Sequence, residues 1–563
     1  MNKKDNLLRL VVVLLIILFI NIIGQYYHKY YDFTDDKRYT LTEPTRELLS
    51  SQKDIVFVKV LLGGELPSGF KRLQNSVRDI LNQFKSINPK IDFIFQNPME
   101  GTVKQINKVK QDLKKEGIVP VNLYIGEGDS KTQKSIYPYA ILNFGKRVYV
   151  VNLLESQVSG IPQEETLNNS VALLEYKFAN AIHKLRMERK GNIVFVGDKG
   201  GIDDVHINTL FKDLSKYYFV GKIKLDSTHR IHKDIDLLIV ARPTKKFSSK
   251  NQFVIDQYLM HGGNIIWLID KVEADLDSIN KYGMYTPRQI ETGLDDMFFK
   301  YGIRINPNLI QDIQCTRIPQ KIGMSGGKPQ IEPFPWYYHL LVNSNSSHPI
   351  SSGISDLWMP FVSSIDTLQT FNNLKKTILL TSSRTSRFQL YPMRLTFQIM
   401  KYKPQLKNFN KPFLPISVLV EGEFESFFKN KLTSETKDML TKIGDKFVDK
   451  SIKPGKMIFV GDGEFVQNLY NTKLNKPTPI GYNKWENFTF QGNRDFILNA
   501  VEYMMDDAGI VKARSKRVKL RLLDKGKLMK EKTKWQLINI VLPLILLLIF
   551  GFLFSFYRKR KYS

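Results

Sequence analysis

The stretch GNIVFVGDKGG at 191–201 is echoed by GKMIFVGDGEF at 455–465. Each copy is a run of β-branched and aromatic residues that enters Gly-Asp, the pattern of a buried strand stopping in a tight turn. After the first copy, apolar runs alternate with amphipathic ones: VHINTLFKDLSKYY (205–218), FVGKIKLD (219–226), DIDLLIVARP (234–243), SSKNQFVIDQYLMHGG (248–263) and NIIWLID (264–270). Near-continuous apolar strands separated by helices predict a parallel sheet covered on both faces. Gly262-Gly263 predicts a helix C-cap. The second copy is then a later strand of the same sheet or the core of a duplicated half-domain, and the Pro- and aromatic-rich 271–412 reads as a loose insertion.

Upstream, residues 25–190 read β-α-β-α-β-β-α. Strands are expected at 54–62, 90–98, 119–128, 137–145 and 146–154, with helices at 67–87 and 102–118 between them and a long helix at about 164–189 closing the unit. This order resembles a thioredoxin-like layer. The chain has one cysteine, Cys315, and no C-x-x-C pair, so dithiol redox chemistry is excluded. The fold class expected is α/β: a thioredoxin-like layer, then a Rossmann-like or glutamine-amidotransferase-like parallel sheet over 191–510.

A strand ending in glycine is where α/β proteins place phosphates or nucleophiles. A P-loop needs G-x-x-x-x-G-K-[ST] and a dinucleotide fingerprint needs G-x-G-x-x-G; GDKGGI and GDGEFV supply neither. The bland reading makes Gly197 and Gly461 turn residues and each following Asp a cap. The functional reading has Asp198, Asp203, Asp204 and Asp462 lining a crevice at the carboxyl edge of the sheet. GMSGG (323–327) matches a nucleophile elbow in letters but lacks the strand before and helix after that the elbow requires, which predicts a loop. Cys315 likewise lacks an elbow. His229 and His232 have H-x-x-H spacing in a segment with no helical pattern, which reads as solvated loop.

The net charge of +28 would suggest a nucleic-acid partner were it spread over the body. More than half is not: Lys512–Lys534 carries eleven Lys/Arg against Asp524 and Glu531, and Arg558–Lys561 and Lys3, Lys4 and Arg9 add the rest. All flank apolar segments, so the charge belongs to a membrane surface rather than to nucleic acid. Leu7–Gly24 and Trp535–Tyr557 are each long and apolar enough to span a bilayer. The expected organisation is a cytoplasmic 1–6, a span at 7–24, an exported 25–190 and 191–510, a basic juxtamembrane 511–534, a span at 535–557 and a cytoplasmic tail at 558–563. Arg514, Lys516, Arg517, Lys519 and Arg521 are the candidates to contact a partner or lipid headgroups.

Two flanking spans, YDFTDDKRYTLTEPTRELL (31–49), FVIDQYLMHGGNIIWLID (253–270), HPISSGISDLWMPFVSSID (348–366) and RLLDKGKLMKEKTKWQLINIVLPLILLL (521–548) together resemble the GldG family. The resemblance covers essentially the whole chain. It implies a gliding-motility-associated auxiliary subunit of an ABC-type transporter in the inner membrane of Bacteroidetes, without catalysis or cofactor, partnered with the permease GldF and the ATPase GldA. The alternative is a tethered receptor for polysaccharide or peptide, with Trp336, Tyr337 and Tyr338 of EPFPWYYHLL (332–341) as stacking platforms.

Overall fold

In the computed structural model both strand-Gly-Asp copies lie in one sheet. The structure describes residues 12–16, 18–19, 40–125, 132–155, 163–187, 191–343, 348–369, 374–400, 404–432, 434, 438, 440, 444, 446–472, 475–506, 509–515 and 525–562. The chain forms two units, Met1–Arg517 and Val518–Ser563.

The first layer contains α1 (Glu43–Ser50), β1 (Val56–Val60), α2 (Ser68–Ile87), β2 (Ile91–Phe95), α3 (Val103–Lys115), β3 (Val121–Ile125), β4 (Thr132–Ile136), β5 (Tyr139–Phe144), β6 (Arg147–Asn152), α4 (Gln163–Ala172) and α5 (Leu174–Arg186). Its sheet order is β2-β1-β5-β6, parallel between β1 and β2 and antiparallel thereafter, while β3 and β4 form a separate hairpin. The amphipathic period of α2 puts Phe70, Leu73, Val77, Leu81 and Phe84 on one face, where they bury against Val56, Val58 and Val60. Ile510, Val511 and Ala513, from a 3-10 turn at Ile510–Ser515, join this same core.

The second sheet is built from β7 (Asn192–Val196), β8 (Phe219–Ile223), β9 (Leu237–Ala241) and β10 (Asn264–Leu268), with α6 (Asn208–Ser215) and α7 (Ser249–Met260) between them. The following region supplies β11 (Cys315–Ser325), β12 (Lys328–Val342), β13 (Leu357–Pro360), β14 (Lys375–Thr381), β15 (Pro415–Gly422) and β16 (Gly455–Val460), then α8 (Gln491–Met505). Spatial order is β14-β15-β16-β10-β9-β7-β8, with β8, β7, β9, β10 and β16 mutually parallel, β15 antiparallel to β16, and β14 antiparallel to β15. The five parallel strands therefore run 2-1-3-4-5, the flavodoxin-like order of doubly wound sheets, rather than the 3-2-1-4-5-6 of the Rossmann fold. The second copy of the motif is a strand of this sheet, not the centre of another half-domain.

Why these strands are apolar without alternation is visible in the two cores. Ile193, Phe195, Leu237, Ile239, Ile266 and Leu268 face a cluster with Leu210 and Leu214 of α6 and Phe496, Ile497, Ala500 and Val501 of α8. The residues between them, Val196, Leu238, Val240, Ile265 and Trp267, face a second cluster with Phe253, Val254, Tyr258 and Leu259 of α7. Each fully buried aromatic, Trp267 and Phe459 among them, stabilises the fold by on the order of 2–3 kcal/mol.

The region 271–412 is not loose. β12 and β11 form a long hairpin that continues into β13, and β14 becomes the edge strand of the main sheet. GMSGG is its tip: Ser325 pairs Lys328 across Gly326 and Gly327, both at positive φ (57° and 75°), the geometry of a primed two-residue turn. Pro333 stands opposite Pro319 in the exposed outer part of the ribbon, where missing amide donors are tolerated.

In the second unit, α9 (Lys525–Tyr562) contains a 30-residue stretch, Glu531–Arg560, with an 18-residue window of mean hydropathy 2.9. By length and composition it can cross a membrane. The first apolar stretch, Leu7–Gly24, falls mostly outside the described residues, which there are the helical 12–16 and 18–19.

Candidate functional site

The carboxyl edge of the sheet does not gather the four aspartates expected there. Asp203 and Asp204 are exposed; Asp203 accepts the His206 amide at 2.8 Å, and Asp204 pairs with Lys222. Asp198 Oδ2 accepts the Asp226 amide at 2.8 Å, closing the turn after β7. Asp462 follows β16, three strands away from β7, or roughly 14 Å at the usual strand spacing.

The switch point between β7 and β9, where sheets of this order bind ligands, is filled by the chain itself. The Lys199 carbonyl accepts the amides of Thr244 and Lys245 at 2.9 and 3.0 Å, and the Thr244 hydroxyl donates to the Gly200 carbonyl at 2.9 Å. Lys199 is buried, pairs with Asp226 and lies 5.7 Å from the centre of the Phe247 ring. The loop DKGGI thus lies over the end of β9 where a phosphate would otherwise sit.

What the edge does assemble is an electrostatic strap across β9, β10 and β16. Arg242, at the end of β9 with φ of 52°, donates from Nε to Asp270 Oδ2 at 3.0 Å and pairs through Nη2 with Glu464 Oε1 at 2.6 Å. A left-handed Arg costs on the order of 1–2 kcal/mol, offset here by these two ion pairs. Asp270, after β10, accepts the Gly463 amide at 2.5 Å. Asp462 is fully buried; its Oδ1 accepts the amides of Glu464 and Phe465 at 2.7 and 3.0 Å, and its Oδ2 has no partner among the described residues.

The two copies of the motif are therefore not equivalent. A Cβ at Gly461 would lie 2.1 Å from the Ser363 carbonyl oxygen, so glycine is obligatory there, whereas a Cβ at Gly197 would meet nothing closer than 3.7 Å. Arg242 and Asp270 are absent from the sequence-level site. The signal available was positional, since each is the first charged residue after a continuous apolar strand.

Three carboxyls around one guanidinium cannot all ionise cheaply. Burial, then the charges of Asp270 and Glu464, holds the Asp462 carboxyl well above the usual range. Burial and Asp270 push Glu464 up to about 7 in spite of Arg242, with Asp275 and Glu273 adding to the shift. Burial likewise raises Asp270 against the pull of Arg242. Carboxyls raised in the folded state contribute stability that is complete below their unfolded pKa, near 4, and is lost as pH rises through the folded values, about 7 for Glu464. Asp462→Asn should therefore melt like the parent at pH 4.5 and be more stable at pH 8 by on the order of 1–2 kcal/mol, read from paired thermal melts across that range. A difference that does not change with pH would show Asp462 ionised throughout.

The remaining candidates are placed elsewhere. Trp336, Tyr337 and Tyr338 are 0%, 3% and 2% exposed, so they present no face to a ligand; the apolar positions of β12 turn inward as its inner half enters the core. Arg514 is also buried: Nη1 donates to Asn499 Oδ1 at 2.6 Å and the guanidinium lies 5.3 Å from the Tyr176 ring centre, which removes it from partner or lipid contact. Lys516, Arg517, Lys519 and Arg521 lie outside the described residues. Cys315 has its thiol pushed up to about 12, by burial first and then by Asp312 and Glu486, and a thiol kept protonated is a poor nucleophile. Ser325 sits at the exposed hairpin tip. No group of three or more His, Cys, Asp or Glu among the described residues is arranged to hold a metal ion.

Over its whole length the chain is similar to an uncharacterized protein of Borreliella burgdorferi, 24% identical across 100% of this chain and 99% of that one. Two solved structures align with parts of it. The N-terminal domain of mmIFT52 covers 56% of this chain and 98% of its own at 13% identity and a TM-score of 0.30. A putative ThuA-like protein from Parabacteroides merdae covers 60% and 94% at 10% identity and 0.27. Both scores are too low to establish a shared fold. Residues 35–143 match a domain of unknown function, DUF7088, and residues 190–500, more than half of the chain, match the family described as ABC-type uncharacterized transport system. The chain belongs to this ABC-type transport family, as an auxiliary component of an ABC transport system.

Proposed function

We propose that the chain is a non-catalytic, membrane-anchored subunit whose body, residues 25–515, stands outside the inner membrane and couples to a permease and an ATPase. The family match over 190–500 carries this reading. It is supported by α9, apolar enough to span a bilayer, and by the absence of any P-loop, which leaves ATP hydrolysis to a partner. Two spans place both termini on one side, and the basic tail after Tyr557 favours the cytoplasm for that side. The GldG resemblance extends the reading to gliding motility, with GldF and GldA as the permease and ATPase. The receptor alternative loses its aromatic platform, because those rings are core.

Affinity purification of the tagged chain from mildly solubilised membranes should recover a polytopic permease and a P-loop ATPase. Deleting 516–534, which spares the buried Arg514, should release both, since the basic segment is then the docking element. Recovery of the chain alone would end the transporter reading. Protease digestion of spheroplasts that left the body uncut would overturn the orientation.

A further inference from the structure

With the carboxyl-edge switch point filled by the DKGGI loop, the open space of the sheet lies at its opposite, amino-terminal edge. A cavity of about 250 Å³ sits there, just below the roughly 300–1,000 Å³ usual for ligand clefts and so sized for a small molecule. It is walled by Gly191 before β7, Asp236 before β9, Gly263 and Asn264 at the start of β10, the last turn of α7 and the end of α8. Its floor is apolar, from Phe253, Val254, Tyr258, Met504 and Met505. Its rim is cationic: Arg230, Lys233, Lys446 and Lys453, with His229 and His261.

Two of these rim cations are left without a counter-ion among the described residues. Asp236 is the only carboxylate among the described lining residues, and its Oδ2 already accepts the Asn192 amide at 2.8 Å. Lys233 and Lys453 take part in no ion pair among the described residues. The stem of Lys453 packs directly over Gly262, whose φ of 89° and missing Cβ allow the approach, so this lysine is held at the mouth. The carbonyls at the end of α7 do not need those cations, since the amides of His261, Gly262 and Gly263 already satisfy Gln257, Leu259 and Tyr258. The floor is fixed as well: Asn264 donates to the Met504 carbonyl at 2.9 Å and accepts the Lys456 amide at 3.1 Å.

We propose that this cavity binds a phosphate-bearing molecule with a small apolar or aromatic body, the phosphate at the Lys233–Lys453 rim and the body over Phe253, Tyr258 and Met505. The same chemistry is offered by the headgroup end of an anionic lipid and by a soluble phosphomonoester. The site is separate from the Arg242 strap and does not depend on the transporter assignment.

The test titrates the full chain, in nanodiscs of phosphatidylcholine, with 1-naphthyl phosphate followed by its fluorescence. Binding should be saturable, and 1-naphthol, which lacks the charge, should not bind. Lys233→Glu combined with Lys453→Glu, both exposed and therefore compatible with folding, should weaken binding at least tenfold while leaving the melting temperature unchanged. Competition then identifies the source: displacement by phosphatidic acid placed in the disc assigns a lipid, and displacement by soluble AMP assigns a metabolite. Equal binding of 1-naphthol, or an affinity within twofold of the parent in the double variant, would overturn the proposal.

Discussion

Glu502→Ala lowers the stability of the body by roughly 3–5 kcal/mol, because it strands a buried ammonium between the two sheets. Glu502 lies on α8, in the second sheet's covering layer, and Lys184 on α5, in the first layer. Their side chains are only 20% and 9% exposed, and they form a direct ion pair. Around Lys184 Nζ stand the rings of Tyr217, Tyr149 and Tyr218, with centres at 4.7, 5.6 and 5.9 Å, and the Tyr176 hydroxyl donates to the other Glu502 oxygen. Burial alone would lower the lysine's pKa, yet Glu502, with Tyr218 and Tyr217, raises it. Burial would likewise raise Glu502, and Lys184 together with the Tyr176 and Arg514 contributions brings it below the usual range. The contribution of the pair is accordingly complete at neutral pH. It is lost in acid as Glu502 protonates and in strong base as Lys184 deprotonates. Urea titrations of Glu502→Ala, Lys184→Ala and the double variant provide the check. The double variant should cost clearly less than the two single costs added, the mark of a coupled pair. Additive costs, each below about 1 kcal/mol, would show that the two layers are held by apolar contacts alone.

Trp336→Ala should cost about 3–5 kcal/mol, the range for removing a large buried aromatic. Trp336 packs with Leu309, Ile318 and Leu395 in one cluster, its ring centre 5.2 Å from Tyr338 and 5.5 Å from Phe397. The Tyr338 hydroxyl extends this cluster to Gln389 Oε1 at 2.6 Å, across to the strand Ser386–Leu390. Trp336 Nε1 has no hydrogen-bond partner among the described residues, so Trp336→Phe sacrifices volume but no hydrogen bond and should cost less than half as much. Thermal melts of the three proteins decide this. A Trp336→Ala chain that melts with the parent but no longer binds a polysaccharide would restore the stacking role that its burial removes.

The alternating framework was legible because both faces of its sheet are covered, and that demand is written into every strand. LLIVA, NIIWL and KMIFV carry no polar residue at a core position, and turn chemistry bounds each: Asp236 before the first, Asn264 opening the second, Gly455 and Gly461 around the third. The order of the strands was not legible. Parallel neighbours β10 and β16 are set by which apolar edges remain open, and no local pattern records that. The hairpin β11–β12 was hidden for a different reason: Pro319, Pro329, Pro333 and Pro335 break the usual strand signature, and only the tertiary position of an exposed ribbon makes them acceptable. At the candidate site, Asp462 was found and its real neighbours were not. The motif gave the turn, but Arg242 and Asp270 reach it from strands whose adjacency is a property of the sheet. Arg514 was misjudged from its basic surroundings, since a charge run says nothing about which member turns inward to meet Asn499 and Tyr176.

The position of β16 bears on the order in which the sheet can assemble as the chain is made. β10 is finished at Leu268, but the strand that lies against it begins at Gly455, and β15 and β14 reach the sheet only through that strand. At usual synthesis speeds the gap corresponds to roughly ten to forty seconds. Throughout that interval Ile265–Leu268 is an unpaired apolar edge. The seam in the middle of the sheet is thus the last to close, and the future centre of the sheet is the part left open longest during synthesis.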